Sequence, residues 1–388
     1  MALSTVSQNN RGIKFRNAVI SEFVRGDAFK KYKSEDASAI IRVFIETGKV
    51  GGDQINLPLI LALSGEGVGS GPLEGNEEKI PNDGARFWID WKRNAVTATK
   101  GEIKKGSFDL FNYAAPKLGE WGQKIQRDHM VKGFMAIPTR NPQPGLGSDT
   151  GQPVNGVLWE NSTAAQRNAW LVSNVDRVWF GGLRSNTVVG NLAASLANIT
   201  AANGKMSAAL IRKMKAAAKK TSPRIAPVTT DDGYERMVMF VGSNAFRDAN
   251  ADPEIYAANK DARPRENGQY KNNPIFNDGD LLYNGVIIRE VPEIDTLLTL
   301  LGAGNGGTPG VSSAANVAPV FLCGQNAAAW VWGQMIEETK LDDTDYQFRK
   351  GAGVDMAYGV GKIAVQTDDG RLVDFGVSTG FVNSADDA

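Results

Sequence analysis

The sequence is poor in the residues that build disulfides and metal sites: its 388 residues include one cysteine, Cys323, and one histidine, His129. A single cysteine cannot form a disulfide within the chain, so the fold must rest on packing and hydrogen bonds. A single histidine excludes sites with several histidine ligands, and any Ser-His-Asp triad would have to use it. We predict that Cys323 is a small core residue and that His129 is structural.

Long apolar segments are missing as well. No stretch approaches the roughly 20 residues that a membrane-spanning helix needs. The first residues, MALSTVSQNNRGIKF, contain no apolar core of a secretory signal. We therefore expect a soluble protein that is made in a reducing cytoplasm.

The chain has no net charge, because 43 Lys and Arg residues balance 43 Asp and Glu residues. A protein that coats nucleic acid over its whole surface would be basic, so any such contact is local or absent. Residues 1–50 hold nine basic and five acidic residues, whereas residues 341–388 hold nine Asp and four basic residues. A basic end and an acidic end would suit head-to-tail contact between copies of the chain. The alternative is two solvated faces that never meet.

The sequence contains no G-x-S-x-G elbow, C-x-x-C pair or H-E-x-x-H motif. The aspartates of LDDTDYQ, Asp342, Asp343 and Asp345, could gather a hard cation. Their segment lacks the glycine turn and terminal Glu of an EF-hand loop, which favours a solvated acidic loop. We predict no catalytic, cofactor-binding or metal-binding residue.

A glycine-rich stretch, ALSGEGVGSGPLEGNEEKIP (residues 62–81), has the look of a phosphate-binding loop. Such loops work because glycine amides lead directly into a helix N-terminus. Here the glycines lead into residues 72–76, which cannot start a good helix, and Glu74, Glu77 and Glu78 would repel phosphate. A flexible loop is the better interpretation.

This stretch lies between two predicted strands. INLPLILAL (residues 55–63) alternates with period two, and RFWIDWKRNAVTA (residues 86–98) would place Phe87, Ile89 and Trp91 on one face. Pro58 favours an edge strand, because proline cannot donate to the ladder. The glycine-rich stretch is therefore predicted to be the distal loop of a long hairpin.

Helical spacing predicts a long helix over residues 106–136, with Ser107 as its N-cap and a kink at Pro116. A second helix is predicted from Lys205 to Thr221, with several basic residues toward its end. Two explanations of these charges stay open. The lysines could favour the helix dipole, or they could contact packaged nucleic acid.

Four further elements are predicted from local pattern. An amphipathic helix is expected within residues 33–52, and a strand that runs into a helix carrying Trp330 and Trp332 within residues 317–335. Residues 138–175, rich in Gly, Pro, Asn and Ser, indicate an excursion loop. The dipeptides Asn284-Gly285 and Asp369-Gly370 are typical of hairpin turns.

Several blocks, taken in order, resemble the N4-like family of major capsid proteins of tailed bacteriophages. The resemblance also runs through the return strand and the long helix. It is carried by KVGGDQINLPL (49–59), LSGEGVGSGPLEGNEE (63–78), FVGSNAFRDANAD (240–252), NPIFNDGDLLYNGVIIREV (273–291), VFLCGQNAAAWVWGQ (320–334) and RKGAGVDMAYGVGKIAV (349–365). No single block is decisive, and the ordered set carries the resemblance. Residues 138–175 have no counterpart in it.

The resemblance implies an α+β architecture, the Hong Kong 97-type capsid fold. Its parts would be an N-terminal arm (1–50), an extended hairpin loop (51–105), a peripheral domain with a long spine helix (106–239, with 138–175 as an insertion), a mainly axial domain (240–345), and C-terminal strands that return to the core (346–388).

The resemblance also implies a function. The chain would be the major capsid protein of a tailed phage, assembling as pentamers and hexamers into an icosahedral head around double-stranded DNA, without enzymatic activity or cofactor. It would be made in the host bacterial cytoplasm and end in the virion. Its partners would be copies of itself, non-specifically bound DNA on the inner face, and portal, scaffold and cementing proteins, with no membrane. The alternatives are a tail tube component, a nucleotide-dependent enzyme and a soluble DNA-binding protein.

In such a shell the arm and the hairpin loop would lie over neighbouring subunits. The apolar surface of the first hundred or so residues would then be completed by other copies. The arm's basic residues would orient it toward the acidic C-terminal region. The residues expected to make contacts between subunits are Lys30, Lys31, Lys33, Gly67, Gly69, Glu74, Glu77, Glu78, Trp88 and Trp91.

Overall fold

The computed structural model of the chain describes residues 25–45, 54–63, 65–105, 110–140, 151–200, 202–229, 233–262, 280–298, 316–341, 348–367 and 369–385. The helices of these residues are α1 (Lys100–Lys105), α2 (Leu110–Met135), α3 (Ala164–Ser173), α4 (Leu192–Ala197), α5 (Ala208–Ala218), α6 (Ser243–Ala251), α7 (Pro253–Ala262) and α8 (Glu293–Leu298). The strands are β1 (Lys33–Ser34), β2 (Ile41–Ile45), β3 (Gln54–Ile60), β4 (Asn82–Trp88), β5 (Asp90–Thr99), β6 (Val178–Phe180), β7 (Val228–Thr229), β8 (Glu235–Val241), β9 (Leu281–Tyr283), β10 (Val286–Glu290), β11 (Val317–Cys323), β12 (Ala328–Lys340), β13 (Arg349–Lys362), β14 (Ala364–Gln366), β15 (Leu372–Asp374) and β16 (Val377–Asn383).

One sheet has five strands in the order β1-β2-β12-β13-β5. Its centre is the long antiparallel pair β12 and β13, and β2 joins β12 in parallel with Ile41 opposite Ala328. The burial of β12 changes along its length, from fully buried at Ala328 to exposed beyond Met335. One end of this sheet therefore lies in the core, and the outer end lies at the surface.

Two predicted helices are wrong, because both segments are strands of this sheet. The segment predicted as an amphipathic helix contains β1 and β2, and the segment that carries Trp330 and Trp332 is β12. Both runs are rich in β-branched or aromatic side chains, which pack well on a pleated surface. The segment of β12 is a strand and not a helix because it pairs with β13, where the Trp330 ring stacks on the Tyr358 ring with their centres 4.9 Å apart.

The second sheet orders its strands β6-β16-β11-β8-β10-β9, with β7 beside β8. β8 is buried from Met237 to Val241 and forms a central strand of this sheet. The predicted turn at Asn284-Gly285 is confirmed, since β9 and β10 pair around it and both residues have positive φ angles of 50° and 71°. The turn at Asp369-Gly370 is likewise confirmed between β14 and β15.

The predicted long helix is α2, with Pro116 inside it; Ser107, its predicted cap, lies outside the described residues. Its C-terminal part lies in the main core. The Phe134 ring is 5.7 Å from Phe240 of β8 and 5.5 Å from Phe321 of β11. On its other side, α2 contacts β13 of the five-stranded sheet. The helix thus bridges the two sheets.

The described part of the N-terminal arm does not depend on other copies for its burial. Phe29 is fully buried, and its ring lies 5.8 Å from Phe134 and 5.0 Å from Phe240. Ile40 and Ile41 belong to the same core. The expectation that neighbours complete the apolar surface is therefore wrong for residues 25–45, which pack in their own subunit.

Residues 138–175 are only partly the predicted loop. Residues 164–173 form α3, which begins with a reciprocal capping box between Thr163 and Gln166. Trp159 and Trp170 are buried edge to face at 5.8 Å, so this segment contributes to the core. The high content of Gly, Pro, Asn and Ser in this segment predicted a loop throughout, so the short capped helix was missed. Residues 141–150 lie outside the described part of the chain.

His129 and Cys323 both lie in the core, as predicted. The Nδ1 atom of His129 is 2.6 Å from the Tyr358 hydroxyl. Burial, aided by the charges of Lys92 and Lys132, lowers the pKa of His129 to about 3, so the ring is neutral at pH 7. Burial also raises the pKa of the Cys323 thiol far above its usual range. Neither side chain is set up for catalysis.

The depressed pKa of His129 predicts a pH-dependent contribution to stability. The unfolded chain binds this proton more tightly, so the contribution is complete above about pH 6.5 and is lost as the pH falls toward 3, at up to about 1.4 kcal/mol per pH unit. We expect His129→Gln to remove this dependence. Urea unfolding of unassembled wild-type and variant subunits at about pH 7.5, 6 and 4.5 measures the difference, in which titrating carboxylates cancel. A difference that stays constant with pH would contradict the assignment.

A buried ion pair fastens the end of β13 to β15. Lys362 Nζ lies 2.6 Å from Asp374 Oδ2, and the side chains are only 1% and 2% exposed. Trp170 of α3 donates its indole N–H to the same oxygen at 3.2 Å, and Asn174 accepts the backbone N–H of Asp374 at 2.8 Å. Arg177, also buried, donates to the Asp374 carbonyl. Because the dry surroundings make an unpaired charge costly, these groups depend on one another.

Candidate assembly surface

The predicted long hairpin exists as the antiparallel pair β3 and β4, which runs in register from Gln54 opposite Trp88 to Ile60 opposite Asn82. Pro58 lies on β3, which pairs with β4 and with no other strand of the described residues, so the predicted edge strand is confirmed there. The return does not continue as one strand. It breaks at Ile89, and β5 joins the five-stranded sheet instead. Phe87 and Trp91 therefore do not share a face of one strand.

The base of the hairpin is anchored to the subunit. Leu57, Ala85 and Phe87 pack against Ala329 and Val331 of β12 in a small core of their own. In addition, a buried amide holds the hairpin's last strand, since Asn155 accepts the Trp88 N–H at 2.7 Å and donates to the Trp88 carbonyl at 3.0 Å. Nearer the tip, Asp83 pairs with Arg140 and accepts the Gln366 N–H at 2.7 Å, so both strands of the hairpin are held against the subunit.

Beyond Ile60 the hairpin continues as a loop, residues 61–81, which we call the hairpin tip. Its described residues form neither helix nor strand, and they are exposed except for Leu61 and Pro81, which are partly covered. Gly67 and Gly75 adopt φ angles of 75° and 86°, which side chains other than glycine rarely tolerate. No helix follows the glycines within these residues, so the amide cradle of a phosphate loop is not formed there. The predicted loop is confirmed in place of a phosphate-binding site, and its flexibility stays a prediction.

The tip and the strand end beside it expose large apolar side chains. Monomeric proteins seldom gather so many on one projecting element, which indicates a surface that another molecule covers. They are Ile60 (76% exposed), Leu63 (59%), Val68 (42%), Leu73 (69%) and Ile80 (56%).

The tip is also acidic. It carries four glutamates against a single basic residue, Lys79. Glu77 is partly engaged within the loop, because its carboxylate accepts the Gly75 N–H at 2.8 Å. Glu66, Glu74 and Glu77 are exposed. The tip therefore combines apolar side chains with negative charge.

A second exposed apolar group lies at the outer end of the five-stranded sheet. These side chains, from β12 and the residues that flank β12 and β13, are between 40% and 47% exposed: Met335, Ile336, Leu341 and Phe348. Sequence reasoning did not identify them as a group. The two longest strands of the sheet, β12 and β13, carry this end beyond the core.

The three predicted arm lysines differ in their exposure. Lys30 and Lys31 are exposed, but Lys33 points inward. Its ammonium lies 2.6 Å from Asp27 and 3.8 Å from the centre of the Trp330 ring. Burial lowers the pKa of Lys33, and Asp27 offsets part of that effect. Lys33 therefore stabilises its own subunit and is not available as an exposed charge.

The remaining predicted contact residues lie in different parts of the subunit. Gly67, Gly69, Glu74 and Glu77 lie on the exposed tip, with Glu78 close to Gly65. Trp91 is 39% exposed on β5, where it lies opposite Ala357 of β13. Trp88, by contrast, is only 4% exposed and lies in the hairpin base. Trp88 therefore has almost no exposed surface in the described subunit.

The described residues do not bring together three side chains that could hold a metal ion. The aspartates Asp342, Asp343 and Asp345 lie outside the described part of the chain. A polar cleft of about 340 Å³ lies beside the hairpin base and is lined by Arg86, Arg140 and Lys362 among others. Arg140 pairs there with Asp83. Among the described helices, none is long and apolar enough to cross a membrane.

The sequence profile of one family, described as phage capsid protein, matches residues 5–385. The chain belongs to the phage capsid protein family. No curated protein sequence matches it significantly. Among solved structures it is similar to a chain of the cyanophage Pam1 capsid asymmetric unit, with 31% identity over 100% of both chains and a TM-score of 0.81.

Two more distant structures share the fold. The capsid of Ralstonia phage GP4 aligns over 100% of both chains with 17% identity and a TM-score of 0.70. The head of Helicobacter pylori bacteriophage KHP40 aligns over 99% of this chain and 100% of its own, with 14% identity and a TM-score of 0.65. The predicted α+β, Hong Kong 97-type fold and the prediction of a major capsid protein are thereby confirmed. The N4-like subtype stays a prediction.

Proposed function

We propose that copies of this phage capsid protein assemble as pentamers and hexamers into a closed icosahedral shell, using the hairpin tip and the outer end of the five-stranded sheet as contact surfaces. The observation that carries this proposal is the tip itself. It places five large exposed apolar side chains on or next to a loop that is anchored only at its base. Many copies of such a weak contact add up in a closed assembly.

For the parts of the subunit we propose the division that the resemblance implies. Residues 1–50 are the arm, 51–105 the extended loop, 106–239 the peripheral domain around α2, 240–345 mainly the axial domain, and 346–388 the returning strands. The contact set within it consists of Lys30, Lys31, Gly67, Gly69, Glu74, Glu77, Glu78 and Trp91. The burial of Lys33 and Trp88 argues against a direct contact by either residue.

The protein works as a structural component and not as an enzyme. It is made in the host bacterial cytoplasm and becomes part of the virion, where the shell encloses double-stranded DNA and holds it non-specifically. Portal, scaffold and cementing proteins are its further partners. The membership in a structural family and the exposed apolar surfaces support this view.

Electron microscopy of the purified, overexpressed protein tests the proposal. Closed particles would support it. Rods would favour a tail tube, and small free oligomers or monomers at every concentration and salt condition would overturn it. Binding of a nucleotide that is lost on substitution of Gly67 and Gly69 would favour the enzyme alternative.

The arm charges lead to a prediction about assembly rate. Lys30 and Lys31 are exposed, and we propose that they attract the acidic C-terminal region of another copy. Lys30→Glu with Lys31→Glu should slow assembly at low ionic strength, and the difference should shrink as salt screens the charges. Light scattering during assembly at about 0.02 M and 0.5 M salt measures the rates. Equal rates for variant and wild type at low salt would discard the idea.

A further inference from the structure

Four exposed apolar side chains gather where the end of α3 meets the loop before α4. Val172, Leu183, Val188 and Val189 are 43%, 44%, 39% and 62% exposed. The loop and the helix touch here, because a Cβ placed on Gly190 would lie 3.8 Å from Val172 Cγ2. No sequence pattern pointed to this group.

Positive charge borders these side chains. Arg184, in the same loop, is exposed and lies with its guanidinium 5.2 Å from the centre of the Trp179 ring. Lys213 of α5 is exposed, and its ammonium donates to the Gly182 carbonyl, which brings the basic face of α5 to the edge of the loop. We call Val172, Leu183, Val188, Val189, Arg184 and Lys213 the basic–apolar patch.

The segment that contains the patch is rich in basic residues. Residues 161–229 contain ten Lys and Arg residues and a single acidic residue, Asp176, which is paired with Arg177. Glutamates from outside this segment pair with two of them, Arg212 and Lys219, whereas Arg184 and Lys213 of the patch donate to backbone carbonyls.

Three of these ten residues, Arg212, Lys213 and Lys215, lie on α5, which is the observed part of the helix predicted from Lys205 to Thr221. Leu210, Ile211 and Met214 bury its apolar face, and Arg212 and Lys213 are exposed on the other side. A partner of this surface must supply both negative charge and apolar side chains.

The geometry points to the hairpin tip of a neighbouring copy as the occupant of the basic–apolar patch. The tip has the complementary composition, with four glutamates, one lysine and the exposed side chains of Leu63, Val68, Leu73 and Ile80. Opposite charges guide the encounter and set the register, and the apolar side chains supply the burial. This inference rests on the proposed assembly function and names the receiving surface for the tip.

Two other partners fit less well. The outer end of the five-stranded sheet exposes Met335 and Ile336 next to Glu337 and Glu338, with Lys340 and Lys350 exposed farther out. It therefore offers charge of both signs, and the carboxylates beside Met335 and Ile336 would repel the acidic tip. A nucleic-acid backbone would match the lysines of α5, but it would leave the apolar side chains of the patch uncovered. The complementary pair of apolar, oppositely charged surfaces therefore favours the contact between copies.

A cross-linking experiment between two singly substituted populations tests the pairing. The native Cys323 is buried, so thiol reagents should report only introduced cysteines. Subunits with Leu73→Cys are mixed with subunits carrying Val189→Cys before assembly, and a short bis-maleimide is added to the particles. We expect the mixture to give about tenfold more covalent dimer than either population alone, because docking raises the local thiol concentration.

Leu73→Cys mixed with Met335→Cys is the matched control, since Met335 is similarly exposed on the competing surface. Closed particles with a link to Met335, or with no link to Val189, would overturn the inference while leaving the proposed function intact. Failure of the wild type to form closed particles would instead overturn the proposed function.

Charge exchange provides a second measurement that does not depend on cysteines. Glu74→Lys with Glu77→Lys in the tip, or Arg184→Glu with Lys213→Glu in the patch, should each slow assembly about tenfold at low salt, and combining all four should restore it. A combination that stays slow would overturn the pairing. So would a patch variant that assembles normally but no longer binds a short DNA duplex, because the patch would then face nucleic acid.

Discussion

A subunit in which an Asn-Gly turn replaces residues 61–81 is expected to fold but to form no closed shells. The last pair of the hairpin ladder, Ile60 opposite Asn82, is followed by a hydrogen bond from Leu61 N–H to the Pro81 carbonyl. A two-residue turn closes such an antiparallel pair. The base of the hairpin keeps its packing on β12, while the exposed apolar side chains of the tip are gone.

Electron microscopy would show the loss of particles, and sedimentation would show free subunits. Circular dichroism and urea unfolding should give a folded subunit with stability close to that of the wild type, because the tip adds nothing to the core. The matched control replaces residues 61–81 by a Gly/Ser-rich loop of equal length, which keeps the length but not the side chains. Normal shells from either variant would contradict the role of the tip.

Lys362→Met is expected to destabilise the subunit by about 3–5 kcal/mol, because it leaves the buried carboxylate of Asp374 without its cation. Lys362 and Asp374 are almost completely buried, and the Trp170 indole alone cannot neutralise the charge. Urea unfolding of unassembled subunits at pH 7 measures the loss.

The exposed pair of Arg371 and Asp369, in the hairpin of β14 and β15, offers the control. These side chains are 40% and 71% exposed, so Arg371→Gln should cost less than about 1 kcal/mol. Adding Asp374→Asn to Lys362→Met should recover part of the loss, since a neutral amide can still accept the Trp170 N–H. A loss from Lys362→Met no larger than that from Arg371→Gln would show that the pair is not coupled as described.

The hairpin shows how much of the candidate site could be predicted from the sequence. Alternating apolar residues, Pro58 and the run of glycines are local signals, and they correctly placed two strands and a loop between them. The break at Ile89 was not visible, because it depends on β5 leaving β4 to pair with β13. Local pattern specifies a strand, but not which neighbour it joins.

The arm shows the opposite case. Residues 41–45 fit helical spacing, yet they form a strand because β12 offers a parallel partner. In the same way Lys33 reads as one of three arm charges, and only the positions of Asp27 and Trp330 turn it into a buried, paired residue. Contacts between residues far apart in the chain decide both outcomes.

The sequence by itself determined the absence of disulfide support, the long helix α2, the glycine-rich acidic tip, and the capsid family through an ordered set of blocks. Only the tertiary structure decided which apolar and charged side chains remain at the surface, as at Val189 and Lys213, and which are buried, as at Lys33 and Trp88. The physical reason is that exposure is a property of packing between distant segments. No spacing along the chain records it.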